Sequence, residues 1–270
     1  MSAKPIVQVE NVTHVYSRGN VTALDDVSVT INRGEIVGLI GQNGSGKTTL
    51  VKHLNSLLKP TSGRVLIDGE DTEKQSVQAM SAKVGYVYQN PNHQLFARTV
   101  QDELEFGPRN LKVDESEIEA RREEAIEFFG LEEMRDLHPY RIGFPLRKLV
   151  GMASIFTMRP DIFILDEPTT GQDNITTQRV YKLIHRLREN GHTVICVAHD
   201  MILLAEVVDR LLVMRDAHLI ADDTPRKVFA MSEVMESTHL APPQITQLSL
   251  NLKKGKVVLS VDEMLKELKS

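Results

Sequence analysis

Gly41-Gln42-Asn43-Gly44-Ser45-Gly46-Lys47-Thr48 is the stretch on which the fold turns. It matches G-x-x-x-x-G-K-[ST], follows the apolar run 36–40, and opens a helical pattern over 46–58 that Pro60 stops. Strand, glycine turn and helix in that order make a loop that wraps phosphate. Gly41, Gly44 and Gly46 let the main chain fold tightly. Its N–H groups, those of Asn43 and Ser45 included, then converge on phosphate oxygens at the positive end of a helix dipole. Lys47 is expected to bridge the β- and γ-phosphates and Thr48 to place its hydroxyl on Mg²⁺. Thr49 either reaches the α-phosphate or continues the helix. A nucleoside triphosphate with Mg²⁺ is therefore the expected ligand.

Downstream, Ile162-Phe163-Ile164-Leu165-Asp166-Glu167 reads as a buried strand that delivers two acids to the carboxyl edge of a parallel sheet, where ligands of such sheets bind. Asp166 is expected to hold Mg²⁺ through its water shell and Glu167 to polarise the water that attacks the γ-phosphate. His199 follows the apolar run 193–197 at the same edge, placed to sense a γ-phosphate oxygen. Gln89 ends the run 84–88, where its amide can contact Mg²⁺ or the attacking water.

Around these sites the chain divides by pattern. Runs 6–15 and 27–31 alternate like antiparallel strands joined by a polar loop at 17–20. Runs 36–40, 84–88, 162–165, 193–197 and 210–214, with helices between them, predict a doubly wound α/β sheet. A mostly helical lobe is expected over 99–159, with Asp114 and Glu117 marking a helix start and Ile118, Ala125, Ile126 and Phe129 its apolar stripe. The main domain is placed at 1–222 and an accessory tail at 223–270, with one short helix, a turn at Pro242-Pro243 and a terminal helix over 261–268.

Composition narrows the function. Of the 270 residues, 41% are hydrophobic and 26% charged, as in a globular protein. The net charge of −5, with no Lys/Arg block longer than two, argues against a nucleic-acid partner. Cys196 is the sole cysteine and sits in an apolar run, so a packing role in a reducing compartment is expected. Residues 1–10 lack a secretory pattern, and no run of about 18 apolar residues occurs. Any membrane attachment would come through another protein.

Taken together, these motifs resemble the ATPase subunits of ABC transporters in order and spacing along nearly the whole chain. The resemblance implies a P-loop NTPase fold of ABC ATPase type: a mostly parallel sheet, an N-terminal antiparallel β subdomain and a helical subdomain. It also implies adenine stacking on Tyr16, a glutamine loop at Gln89, an aspartate-bearing dimer loop at Gly171-Gln172-Asp173 and a switch histidine at His199. The stretch 89–100, Phe106-Gly107-Pro108 and the tail from Pro242 are similar to the energy-coupling-factor and cobalt or nickel transport ATPases. That likeness implies a pair of ATPases on the cytoplasmic face of the membrane, under a transmembrane coupling protein, with a separate membrane protein capturing a vitamin or metal ion. The segment after Gln89 would make the mechanical contact.

One departure stands out. Where the family carries Leu-Ser-Gly-Gly-Gln, this chain has Ile142-Gly143-Phe144-Pro145-Leu146. Gly143 has no hydroxyl, Phe144 adds bulk where main chain must approach phosphate, and Pro145 has no N–H. Leu149, Met152, Ala153 and Phe156 keep the helical spacing behind it. The chain is expected to attack its own ATP but to clasp a partner's poorly. A heterodimer with a different ATPase follows, leaving a homodimer with altered closing residues as the alternative.

Overall fold

Period-two burial organises the first strands of the chain. In the computed structural model, which describes residues 4–252 and 256–269, β1 (Pro5–Tyr16) pairs antiparallel with β2 (Val21–Asn32) across a turn at 17–20. Val7, Val9 and Val12 of β1 and Val27, Val29 and Ile31 of β2 are buried, and the residues between them are mostly exposed or half-buried. β4 (Ser62–Ile67) joins the other side of β1, and the two-residue β5 (Glu70–Asp71) completes a sheet ordered β2-β1-β4-β5. The sequence reading above did not anticipate β4, because Ser62, Gly63 and Arg64 are exposed and the apolar signal is confined to the three residues Val65, Leu66 and Ile67.

The second sheet consists of β3 (Ile36–Gly41), β6 (Val84–Val87), β7 (Ile162–Asp166), β8 (Thr193–Val197), β9 (Arg210–Arg215) and β10 (His218–Asp223), ordered β10-β9-β3-β8-β7-β6. β6, β7, β8, β3 and β9 are parallel, whereas β10 returns antiparallel on the β9 edge. Both faces of the parallel strands are covered, so they read as unbroken apolar runs. Ile162 and Ile164 pack with Val37, Leu39 and the inner face of the antiparallel sheet, while Phe163 and Leu165 point to the opposite core with Ile36 and Ile40. The parallel sheet thus separates two hydrophobic layers.

Helix α1 (Lys47–Leu54) follows β3 and packs in the layer shared with the antiparallel sheet; α2 (Val77–Ser81) precedes β6. Helix α1 ends at Leu54, short of the expected 58, because Asn55 Oδ1 accepts from Leu57 N (3.2 Å) and Ser56 turns left-handed at φ 62°. Between β6 and β7 lie α3 (Val100–Asn110), α4 (Glu115–Phe129) and α5 (Phe144–Phe156). The stripe Ile118, Ala125, Ile126 and Phe129 of α4 is buried in the second core. Each fully buried Phe or Ile there contributes about 1.5–3 kcal/mol.

Helix α6 (Asn174–Glu189) precedes β8, and α7 (Met201–Val207) lies between β8 and β9. After β10 come α8 (Pro225–Ala230), α9 (Ser232–Ser237), α10 (Gln244–Asn251) and α11 (Val261–Lys269). Four helices therefore replace the one short and one terminal helix expected beyond residue 222. Each of the extra turns is too short to show a helical period in sequence. Val228, Phe229 and Met235 belong to the same core as α5 and β7. The N-terminal reading of residues 1–10 falls partly on 1–3, and that of the tail partly on 253–255 and 270, all outside the described residues.

Candidate functional site

β3 ends at Gly41, and the chain must turn at once toward α1. Gly41 has φ 150°, and a Cβ there would lie 2.2 Å from Met214 O; Gly46 has φ 105°, and its Cβ would lie 2.3 Å from Ala23 O. Only glycine fits either position. Gly46 occupies the N-cap of α1, so the first N–H groups of the helix open into the cleft. Lys47, 7% exposed, reaches back over the loop and donates from Nζ to Gly41 O (2.7 Å) and Gln42 O (2.8 Å). Burial presses its pKa down, and the negative charges of Glu167 and Asp166 pull it back up.

Asp166 closes β7 and is 5% exposed. Desolvation raises its pKa; Tyr86, whose hydroxyl donates to Oδ2 at 2.6 Å, and nearby Lys148 oppose the shift, while Glu167 adds to it. Glu167 follows with a left-handed backbone, φ 49°, anchored by its N–H to Val197 O at 2.7 Å. Its Oε2 accepts from Thr170 Oγ1 (2.9 Å), and its Oε1 lies 3.4 Å from His199 Nε2. The histidine stands just beyond β8 and is 40% exposed in its side chain. A carboxylate held by a hydroxyl on one oxygen and faced by an imidazole on the other is a group placed to take a proton from water.

One cleft of about 460 Å³ gathers these residues: Tyr16, Asn43, Gly44, Gly46, Lys47, Thr48, Thr49, Gln89, Asp166, Glu167, Thr170 and His199 all line it. Gly41, at the end of β3, and Ser45 do not line it, and Ser45 buries an Oγ that has no hydrogen-bond partner among the described residues. Gln89 sits two residues past β6 and lines the same cleft as Tyr16. Tyr16, 38% exposed, bonds Thr49 Oγ1 through its hydroxyl (3.1 Å) and rests edge-on against His14, with ring centroids 4.6 Å apart. Thr49 continues α1.

Three contributors escape a reading by motif. Tyr86 alternates with apolar residues in β6, Thr170 is one of a polar pair, and Lys148 lies in a mostly apolar helix. The only sequence signal for Lys148 was a cation on the stripe that α5 buries. Its Nζ donates to Glu167 O and, at 3.1 Å, to Thr170 O.

The segment that replaces the expected Leu-Ser-Gly-Gly-Gln starts α5. Gly143 is its N-cap without a side-chain cap, and Phe144 is 39% exposed with its ring against Gly171. Asp173 accepts from Thr176 N (2.8 Å) and caps α6. Arg147 ties α5 to the glutamine loop through Asn92 Oδ1 (2.6 Å), and Gln94 ties that loop to α5 through Gly151 O (2.7 Å) and Ser154 Oγ (3.0 Å).

Residues 24–170 match the ABC transporter family. This chain belongs to that family. It is an ATP-binding and ATP-hydrolysing subunit of ABC ATPase fold. It is 43% identical over 96% of its length to a "Putative ABC transporter ATP-binding protein" of Caldanaerobacter subterraneus, and spans 45% of that relative. It is 38% identical over 97% of its length to the "Energy-coupling factor transporter ATP-binding protein EcfA2" of Clostridium tetani, covering 96% of it. The solved structure of cbiO1 from Clostridium perfringens, described as part of the ABC transporter complex cbiONQ, superposes with a TM-score of 0.76. There the identity is 33%, over 92% of this chain and 99% of that one.

Proposed function

We propose that this ABC ATPase powers an energy-coupling-factor importer for a vitamin or transition-metal ion. The observation that carries the catalytic part is the single cleft uniting Lys47, Asp166, Glu167 and His199 at the carboxyl edge of the parallel sheet. The transport part is supported by the likeness to EcfA2 and to cbiO1. ATP lays its phosphates on the loop 41–48 and its adenine against Tyr16. Lys47 transfers its hydrogen bonds from Gly41 O and Gln42 O to the β- and γ-phosphates. Glu167 orients and deprotonates the water in line with the γ-phosphate, and His199 holds an oxygen of that phosphate. Thr48, Asp166 and Gln89 form the oxygen-rich side on which Mg²⁺ would sit, where it would neutralise charge building on the phosphate oxygens.

The chain acts from the cytoplasmic face of the membrane as a peripheral subunit; among the described residues no helix is long and apolar enough to cross a bilayer. Phe96 and Phe106, 60% and 46% exposed with ring centroids 4.6 Å apart, border a groove of about 240 Å³ with Gln94, Glu103 and Met158. That groove suits an apolar helix end of a transmembrane coupling protein. A separate membrane protein would capture the cargo.

The second ATPase is a different chain. Gly143 leaves the start of α5 without a hydroxyl, Pro145 removes one of its N–H groups, and Phe144 puts a ring where a phosphate clasp needs open main chain. This chain then uses a partner's intact signature on its own ATP and returns little to the partner's site. ATP turnover of the isolated chain against a mixture with a second ATPase of the same membrane complex tests this. Strong cooperative turnover by this chain alone overturns the heterodimer. ATP retained without turnover in the mixture favours a regulatory subunit, a reading the altered signature also supports. Co-purification of integral membrane subunits tests transport, and recovery of nucleic acid instead overturns it.

A further inference from the structure

The turn that carries Glu167 is gripped from behind by a buried cation. Lys148 lies in the second turn of α5 and is 1% exposed. Its Nζ donates to Glu167 O and to Thr170 O (3.1 Å), the two carbonyls that bracket the tight turn 167–170. Across the same turn Thr170 N donates to Glu167 O (3.3 Å), and Thr170 Oγ1 holds Glu167 Oε2 (2.9 Å). The left-handed backbone of Glu167 aims its side chain into the cleft, and it is a conformation that L residues other than glycine rarely hold without support. Two main-chain carbonyls therefore meet at one ammonium, whose hydrogen bonds go to main chain and which does not line the cleft.

We infer that Lys148 is a positioning residue for ATP hydrolysis: it locks the 167–170 turn so that the Glu167 carboxylate stays aligned with the water and with His199. The role depends on Glu167 being the general base. Burial lowers the Lys148 pKa to about 8, with Glu167 and Asp166 opposing the shift, which keeps the ammonium charged in neutral solution. The same helix holds Gln94 through Gly151 O one turn further on. The glutamate turn and the glutamine loop thus share one rigid support, and a shift of α5 moves both.

The test compares Lys148→Met, Lys148→Arg and Glu167→Gln. Turnover is measured in the hydrolysing ATPase complex, ATP affinity and thermal unfolding on the full chain. A misaligned base costs turnover without costing binding, so Lys148→Met is expected to lower kcat about 10- to 100-fold while ATP affinity holds within about threefold. Lys148→Arg, which keeps the cation and its donors, is expected to recover part of that loss. Lys148→Met turnover within about twofold of native overturns the inference. So does a parallel fall of kcat, ATP affinity and unfolding temperature in both variants, which marks a merely structural role. Where Lys148→Met fails to fold, Lys148→Gln takes its place under the same criteria. Normal hydrolysis by Glu167→Gln removes the base assignment itself, whereas a dead Glu167→Gln beside a normal Lys148→Met removes only the role of Lys148.

Discussion

Glu167 shows how much of an active site can rest on one residue's surroundings. Its neighbours fix the main chain at φ 49°, hold one carboxylate oxygen and place an imidazole beside the other. Glu167→Gln keeps this packing and removes only the proposed base. It is expected to bind ATP normally and to lose turnover by about 10²- to 10⁴-fold, as single-turnover hydrolysis would report. Gly46 is constrained differently, by space. Gly46→Ala would force a left-handed alanine into Ala23 O, at a cost of about 1–3 kcal/mol for the backbone alone. Thermal unfolding is expected to shift accordingly, and calorimetric titration to find ATP binding lost.

At the scale of elements, the loop between β6 and α3 is held by side chains instead of regular pairing. Gln94 accepts from Tyr88 N (3.2 Å) and donates to Gly151 O and Ser154 Oγ. Gln94→Leu strands those partners and is expected to destabilise the fold by about 1–3 kcal/mol in urea unfolding. Glu103, 3% exposed, secures the loop's far end by accepting from Phe96 N (2.9 Å) and Ala97 N (2.8 Å). Desolvation outweighs those bonds and raises its pKa. A raised carboxylate pKa means that the folded state holds its proton longer than the unfolded one. The stability this adds is fully present below the unfolded pKa and fades as pH rises through the folded one. Glu103→Gln, neutral throughout, is expected to gain stability relative to the native chain as pH climbs from the ordinary carboxylate range toward neutrality. Denaturant midpoints across that window check the sign.

For the whole molecule, the consequence of α5's altered start appears only when two chains meet. Replacing Gly143, Phe144 and Pro145 by Ser, Gly and Gly supplies a hydroxyl, removes the ring and restores the missing N–H at that helix end. If a missing clasp is what limits a homodimer, this variant alone is expected to hydrolyse ATP about 100-fold faster than the native chain alone, with turnover rising steeply with chain concentration. An unchanged rate would place the defect elsewhere.

The division of labour between sequence and tertiary structure is visible in particular elements. The loop 41–48, the run 162–167 and the stripe of α4 were legible because their signals are local. Glycines sit where φ must be positive, a continuous apolar strand ends in acids, and apolar residues recur with the helical period. β4 and β10 were not legible: their residues are mostly exposed or half-buried, and it is pairing with β1 and β9 that makes them strands. Nor could sequence show that Tyr86 would reach Asp166 or that Lys148 would grip Glu167, since these contacts join residues far apart in the chain. The chemistry available to this protein was written in short motifs. The alignment of that chemistry was decided by packing, which brings buried polar groups together only where another segment can satisfy them.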